Sequence, residues 1–369
     1  MFRGNKIVYI LALLIFQSVS LYAQIYVPKY SNAFLSIGIG ARAFGMSGVQ
    51  SAIVNDVTAA YWNPAGLQRI KTRYDVSLMH AEYFAGIAKY DYAGFATRLD
   101  TQSVIALSVI RFAIDNIPNT LSLYAADGGA VGQLNYNNIT FFSAADYAFL
   151  VSYARKSNLI KGLNLGVNLK IINRTVGSFA TAWGFGFDVG AQYTAGKWNM
   201  GLVIKDVTGT FNAWSYNTSL LQTTFAQTGN LLPTSSIELT LPTLIYGLSR
   251  SFKITKKIGL LAATDLNVTF DGARNTIINT SVFSVSPAAG IEVGYMKIVF
   301  LRFGVGNIQK IQSIDQKTST SIQSNFGLGV HISRFTIDYA LTNLGNFSES
   351  MYSNVFSLKF SFNRLDHAK

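Results

Sequence analysis

Gly38, Gly40 and Ala43 spell out G-x-G-x-x-A, the spacing with which a glycine-rich loop can wrap the pyrophosphate of a dinucleotide. That chemistry needs a strand before the loop and a helix after it, so that N–H groups at the helix N-terminus face the phosphates. Neither element, nor a βαβ unit, reads from the flanking residues, and the pattern is set aside as a nucleotide site. The three histidines, His80, His331 and His367, are the other candidates for proton transfer or metal ligation. The first two fall in strand-like segments and the third in the C-terminal tail. None has a second histidine one helical turn on, and no H-E-x-x-H, G-x-S-x-G or Walker sequence accompanies them. They read as structural or solvent-facing, so no catalytic residue is assigned, no enzymatic activity is expected and no cofactor is implied. Lys170 and Asp188 alternate onto the small, polar face of their segments and read as hydrated lumen side chains, with a luminal ion-pair network as the alternative. With no cysteine the chain has no disulfide, no thiolate metal centre and no lipoprotein anchor.

The elements that would position any site begin with an export signal. Over residues 1–23, Arg3 and Lys6 precede an unbroken apolar run from Ile7 to Phe16 and a small-residue exit at Ala23. The apolar run is too short for a bilayer-spanning helix, which takes about 20 residues, and nothing later approaches that length. The 369 residues carry a formal charge of +12 and are 13% aromatic but only 13% charged. A soluble domain is about 25% charged, so much of this surface must face something other than water, and lipid is the candidate. The mean hydropathy of +0.26 points to a plugged or apolar interior rather than a watery pore. A nucleic-acid partner is excluded, because no nucleic-acid motif accompanies the positive charge and the chain reads as exported.

After Leu67 the sequence alternates with the period of two that marks strands. Trp183, Phe185, Phe187, Val189, Ala191 and Tyr193 share one face of a segment whose other face is Gly184, Gly186, Asp188, Gly190, Gln192 and Thr194. Strands are expected near 74–82, 87–97, 103–112, 140–153, 161–173, 182–194, 197–206, 240–250, 257–270, 288–296, 299–308, 323–332, 334–342 and 354–362. Each approaches the roughly 9 to 11 residues that cross a membrane at a tilt, and the even count suits a single-chain bacterial barrel. Long connections at 113–139, 207–239, 271–287, 309–322 and 343–353 alternate with turns as short as Ala195-Gly196 and Ser333-Arg334, the rhythm of outer loops and periplasmic turns. The expected fold is an all-β, antiparallel transmembrane barrel of about 14 strands over residues 71–362, with 24–70 as a luminal plug and 363–369 as a tail.

The most specific stretch lies in that plug. Gly40, Ala41, Arg42, Ala43, Gly45 and Met46, then Asn55, Asp56 and Ala59, then Tyr61, Trp62, Asn63, Pro64, Ala65, Gly66 and Leu67 resemble the N-terminal signature of the PorV/PorQ family of Bacteroidetes-type outer-membrane proteins, a branch of the FadL-like barrels. Ser47 departs from it, standing where the signature has a glycine. Read physically, Asn63-Pro64-Ala65-Gly66 makes a firm turn, with Gly66 allowing a sharp return, and Asn55 or Asp56 caps a short helix ending near Tyr61. Arg42, set among alanines and glycines, is expected to pair with Asp56 or with inward-facing barrel carboxylates. The alternative is that it holds a substrate carboxylate.

The resemblance implies a component of the type IX secretion system in the outer membrane, with a large translocon barrel and the C-terminal signal domains of exported cargo as partners. The alternative function is that of FadL-like barrels, which move hydrophobic small molecules through a plugged lumen and a lateral opening. Basic residues, Lys253, Lys256 and Lys257 among them, gather at the inferred periplasmic ends. They read either as a collar on anionic lipid headgroups or as a docking ring for an acidic partner.

Overall fold

The computed structural model describes residues 31–123, 134–232, 236–312, 317–342 and 353–363. The expected signal segment 1–23 and the tail beyond residue 363 lie outside them. One sheet contains seventeen strands. They are β1 (Tyr74–Tyr83), β2 (Ala88–Arg98), β3 (Ser103–Asn119), β4 (Thr140–Lys156), β5 (Leu163–Val176), β6 (Ala180–Ala195), β7 (Trp198–Lys205), β8 (Thr210–Tyr216), β9 (Ser236–Thr240), β10 (Thr243–Lys253), β11 (Ile258–Thr269), β12 (Ile278–Asn279), β13 (Ser284–Tyr295), β14 (Val299–Gln312), β15 (Thr318–Ile332), β16 (Phe335–Thr342) and β17 (Ser353–Phe362). β7 and β8 both pair with β6, while β10 pairs with β7 and β9 with β8, so each of these couples is one interrupted wall strand. With each couple counted once and the loop ladder β12 left out, the wall has 14 antiparallel strands. It closes where Tyr74 of β1 stands opposite Phe362 of β17. Closure pairs every ladder and leaves no edge, which a lipid environment requires.

Side-chain parity follows the alternation. On β6, Trp183, Phe185, Phe187 and Val189 face outward and are exposed, whereas Ala182, Asp188 and Gln192 face inward and are buried. Among the described residues no helix is long and apolar enough to cross a membrane.

All fourteen expected segments form strands, but several run further than expected: β3 reaches Asn119 and β15 begins at Thr318. The stretch 207–239 is not the loop that its length suggested. It holds β8, a helix over Thr218–Thr228 and β9. The inserted residues between β7 and β8 shift the phase of alternation and hide the continuation. The Asn217 side chain caps that helix by accepting from the Leu220 N–H at 3.2 Å, and Gly229 ends it at φ 68°. Connection lengths also alternate less cleanly than expected, since β1–β2 and β5–β6 are joined by short turns on the rim that carries the long loops.

Candidate functional site: the plugged lumen and its cavity

Residues 31–70 cross the barrel as single turns: 3-10 segments Ala33–Ser36 and Pro64–Arg69, and helical turns Ala41–Phe44 and Ala59–Trp62. Turns this short have no stability of their own, so the wall must hold them. Inward glycines supply the room. A Cβ at Gly166 or Gly190 would overlap Pro64 or Asn63, at Gly201 or Gly247 Ser51, and at Gly304 the Met46–Ser47 backbone; at Gly327 it would lie 3.0 Å from the Gly45 Cα. The wall of β5, β6, β7, β10, β14 and β15 is thus a smooth groove into which plug backbone lies directly. The small residues Gly45 and Ala65 are its counterparts, and Met46 is fully buried there.

Asn63 stitches the seam. Its Nδ2 donates to the carbonyls of Ser51 (2.7 Å) and Ala191 (3.0 Å), while its Oδ1 accepts from the Ala65 N–H at 3.2 Å, capping a 3-10 helix whose first residue is Pro64. Gly66 therefore makes no sharp return. It keeps an ordinary backbone, and its missing side chain admits the Val54 carbonyl, 2.7 Å from where a Cβ would stand. Ser47 instead is left-handed, at φ 54°, and its Oγ accepts from Asn325 Nδ2 at 2.8 Å. The helical turn Ala59–Trp62 starts from Thr58 rather than Asn55 or Asp56. Asp56 instead accepts from the Thr58 N–H at 3.0 Å, and Trp62 Nε1 donates to the Ile39 carbonyl at 2.9 Å. The N–H groups of Gly40 and Ala41, which a dinucleotide loop would keep for phosphate, are given to Met79 Sδ (2.9 Å) and Ser357 Oγ (2.7 Å).

Beneath the plug runs a buried ion network. Arg42 donates from Nε and Nη2 to Glu292 of β13 at 2.9 and 3.2 Å, and from Nη1 to Asn55 Oδ1 at 3.2 Å. Glu292 also accepts from Arg302 at 2.7 Å, which in turn holds Asp338 at 2.7 Å. Of the two partners considered for Arg42, the barrel carboxylate takes it; Asp56 goes to Lys359 at 3.2 Å. Burial works against the Arg42 charge, but Glu292 and then Asp56 outweigh it and hold the guanidinium above its ordinary pKa. Burial likewise opposes the Asp56 carboxylate, and Lys359, the Thr58 hydroxyl and Arg42 together keep it below its ordinary value. Arg69 and Arg98, at the same end of the barrel as the basic turns, turn inward. They donate to plug carbonyls, Arg69 to Ala52 at 3.0 Å and Arg98 to Ile70 at 2.8 Å.

On the other side of the plug lies a cavity of about 540 Å³. On the plug side Leu35, Ile37, Phe44, Tyr61 and Trp62 line it beside Ser36, Ser47 and Ser51, and on the wall side Ile245 and Pro242 stand among polar residues such as Asp265, Asn267 and Asn325. It abuts the interruption in the wall, where residues 206–209 bulge opposite Leu241 and Pro242, with Asp206 and Gly209 at positive φ. Pro242 has no N–H to offer a ladder there. Side chains fill the gap: Lys170 pairs with Asp188 at 2.8 Å and with Asp206, and the Asp206 N–H donates to Asp188 at 2.9 Å. Lys170 and Asp188 are each only 5% exposed, which corrects their reading as hydrated lumen residues. Sequence reasoning missed Lys205. Its Nζ stands 4.0 Å from the Tyr61 ring centroid and 5.6 Å from that of Trp62, on the cavity lining, and it is in no ion pair among the described residues. Its parity with Gly201 and Val203 was the available signal.

No protein-family model matches the chain, and no curated protein sequence matches it. Solved structures do. The toluene transporter TodX of Pseudomonas putida superposes with a TM-score of 0.53 at 12% identity, covering 89% of this chain and 99% of that one. The CymD monoaromatic hydrocarbon channel gives 0.51 at 14% identity, over 89% and 98%. At such identities the likeness is one of fold. The closed wall of 14 antiparallel strands defines this chain as a 14-stranded β-barrel, the fold it shares with these two proteins.

Proposed function

We propose that the barrel carries a hydrophobic small molecule across the bacterial outer membrane, using the cavity between plug and wall as its binding site. The observation that carries this reading is the position of that cavity, bounded by apolar plug side chains and lying against the stretch of wall where β7–β8 and β9–β10 are both interrupted. The fold shared with hydrocarbon channels supports it. Both carboxylates at the interruption are engaged by Lys170, which leaves Lys205 to favour a ligand with an anionic head beside its apolar body.

Titration of the purified barrel in nanodiscs with dodecanoate, dodecanol and toluene tests the reading, with saturable binding of at least one of them as the expected result. Lys205→Met is expected to weaken dodecanoate binding about tenfold, the loss of one charge-assisted contact, and to spare dodecanol. Absence of saturable binding by all three compounds would end the transport reading.

A second reading, membership of the PorV/PorQ branch and a role in type IX secretion, rests on the plug signature. Its residues Arg42, Gly45, Met46, Asn63 and Gly66 are occupied in seating the plug, a task common to both readings. Co-purification of a large translocon barrel, or loss of cargo secretion on deletion, is what would separate them.

A further inference from the structure

Charge is segregated between the two rims of the barrel. The rim of short turns carries Lys156 and Lys161 around β4–β5, Lys253, Lys256 and Lys257 around β10–β11, and Lys297 at β13–β14, all exposed and in no ion pair among the described residues. Among the described residues the only acid within its turns is Asp100. On the opposite rim the described loops hold Asp271, paired with Arg274, and Lys317.

Each of the three basic turns also presents an apolar tip to the outside: Leu159 at 96% exposure, Ile254 at 59% and Met296 at 49%. An apolar tip flanked by lysines is the composition of an interfacial anchor. The tip enters the acyl region while the lysine stems lie along it and lift their ammonium groups to the phosphates. Repetition decides what the rim meets. The β10–β11 and β13–β14 turns adjoin, the Met296 N–H donating to the Lys257 carbonyl at 2.7 Å, while the β4–β5 turn lies on a separate sector of the closed wall, beyond β6 and the β7–β8 strand. A lipid leaflet touches all sectors at once, whereas a docked protein touches one.

We propose that this rim is a seat for anionic phospholipid headgroups, phosphatidylglycerol or cardiolipin, in the leaflet that the short turns face. The seat fixes the depth and tilt of the barrel independently of what passes through it. Both sectors contribute, so neither alone accounts for binding.

The test is native mass spectrometry of the full chain released from nanodiscs of phosphatidylethanolamine and phosphatidylglycerol. Two charge reversals are compared with their glutamine counterparts: Lys253→Glu/Lys256→Glu/Lys257→Glu and Lys156→Glu/Lys161→Glu. Each reversal is expected to lower retained phosphatidylglycerol about threefold, the scale set by a few surface lysines on an anionic leaflet, with bound phosphatidylethanolamine unchanged. The glutamine variants should fall between wild type and reversal, and all should keep the wild-type heat-induced gel shift, which shows that the barrel has formed. Phosphatidylglycerol retention unchanged in both reversals overturns the proposal. So does an effect confined to the Lys253, Lys256 and Lys257 reversal that appears as loss of a co-purifying acidic protein, since that pattern assigns the rim to protein docking.

Discussion

Gly304→Leu is expected to unseat the plug and open an ion-conducting path through a barrel that is otherwise silent in planar bilayers. The wild-type glycine lies against the backbone at Met46 and Ser47, and even a Cβ there would overlap main-chain atoms. A side chain in the way can rotate aside, but backbone cannot. Overpacking a core costs about 1–3 kcal/mol when side chains can rearrange, so the loss of plug docking here should reach or exceed the top of that range. The wall itself should survive, because β13, β14 and β15 pair through backbone groups that the substitution leaves alone. Its heat-induced gel shift is therefore expected to persist while conductance rises. Phe303→Leu, one residue away but facing lipid, is the control and should stay closed. A silent Gly304→Leu barrel with an unchanged thermal transition would show that the groove tolerates a side chain and that the plug is not seated by steric fit.

The same glycines mark the boundary of what sequence could reveal. Alternation located the wall because parity is a local property: Trp183 to Tyr193 points one way whatever the other strands do. That Gly166, Gly190 and Gly201 are small was equally plain. Why they are small was not, since the atoms they admit belong to a segment more than a hundred residues earlier. The interruption after Lys205 escaped for a different reason. Residues 206–209 add a bulge that breaks the period, so β8 looked like loop although Thr210, Asn212 and Trp214 keep inward parity. In the lumen, charges could be assigned a face but not a partner. Arg42 and Glu292 stand 250 positions apart. The inward parity of Glu292, between outward Ile291 and Val293, was the one hint that a carboxylate waited there.

Removing the other half of the plug's attachment should be as damaging as removing the groove. Arg42→Ala leaves Glu292 buried, 11% exposed at its side chain, with Arg302 as its remaining cation. Deleting one partner of a buried pair typically costs about 3–5 kcal/mol, because the surviving charge keeps its desolvation penalty. Glu292 retains Arg302, so the lower end of that range is expected, read as a lowered urea midpoint in detergent together with transient conductance. Arg42→Lys should recover little, since an ammonium cannot span both carboxylate oxygens as the guanidinium does at 2.9 and 3.2 Å. In the wild-type chain the Asp56–Lys359 pair is a second ionic strap on the plug, and it sets a pH dependence whose sign is fixed. The folded-state pKa of Asp56 lies below its ordinary value, so its contribution is complete at neutral pH and is lost as pH falls through the depressed value. Plug docking with Arg42 in place should therefore hold steady from pH 7 down to about 4, the ordinary range of an aspartate, and weaken only below it. Weakening that begins nearer pH 6 would mean that Asp56 is not the carboxylate holding the plug, and an Arg42→Ala barrel as closed and as stable as wild type would remove the ion network from the account of how the lumen is sealed.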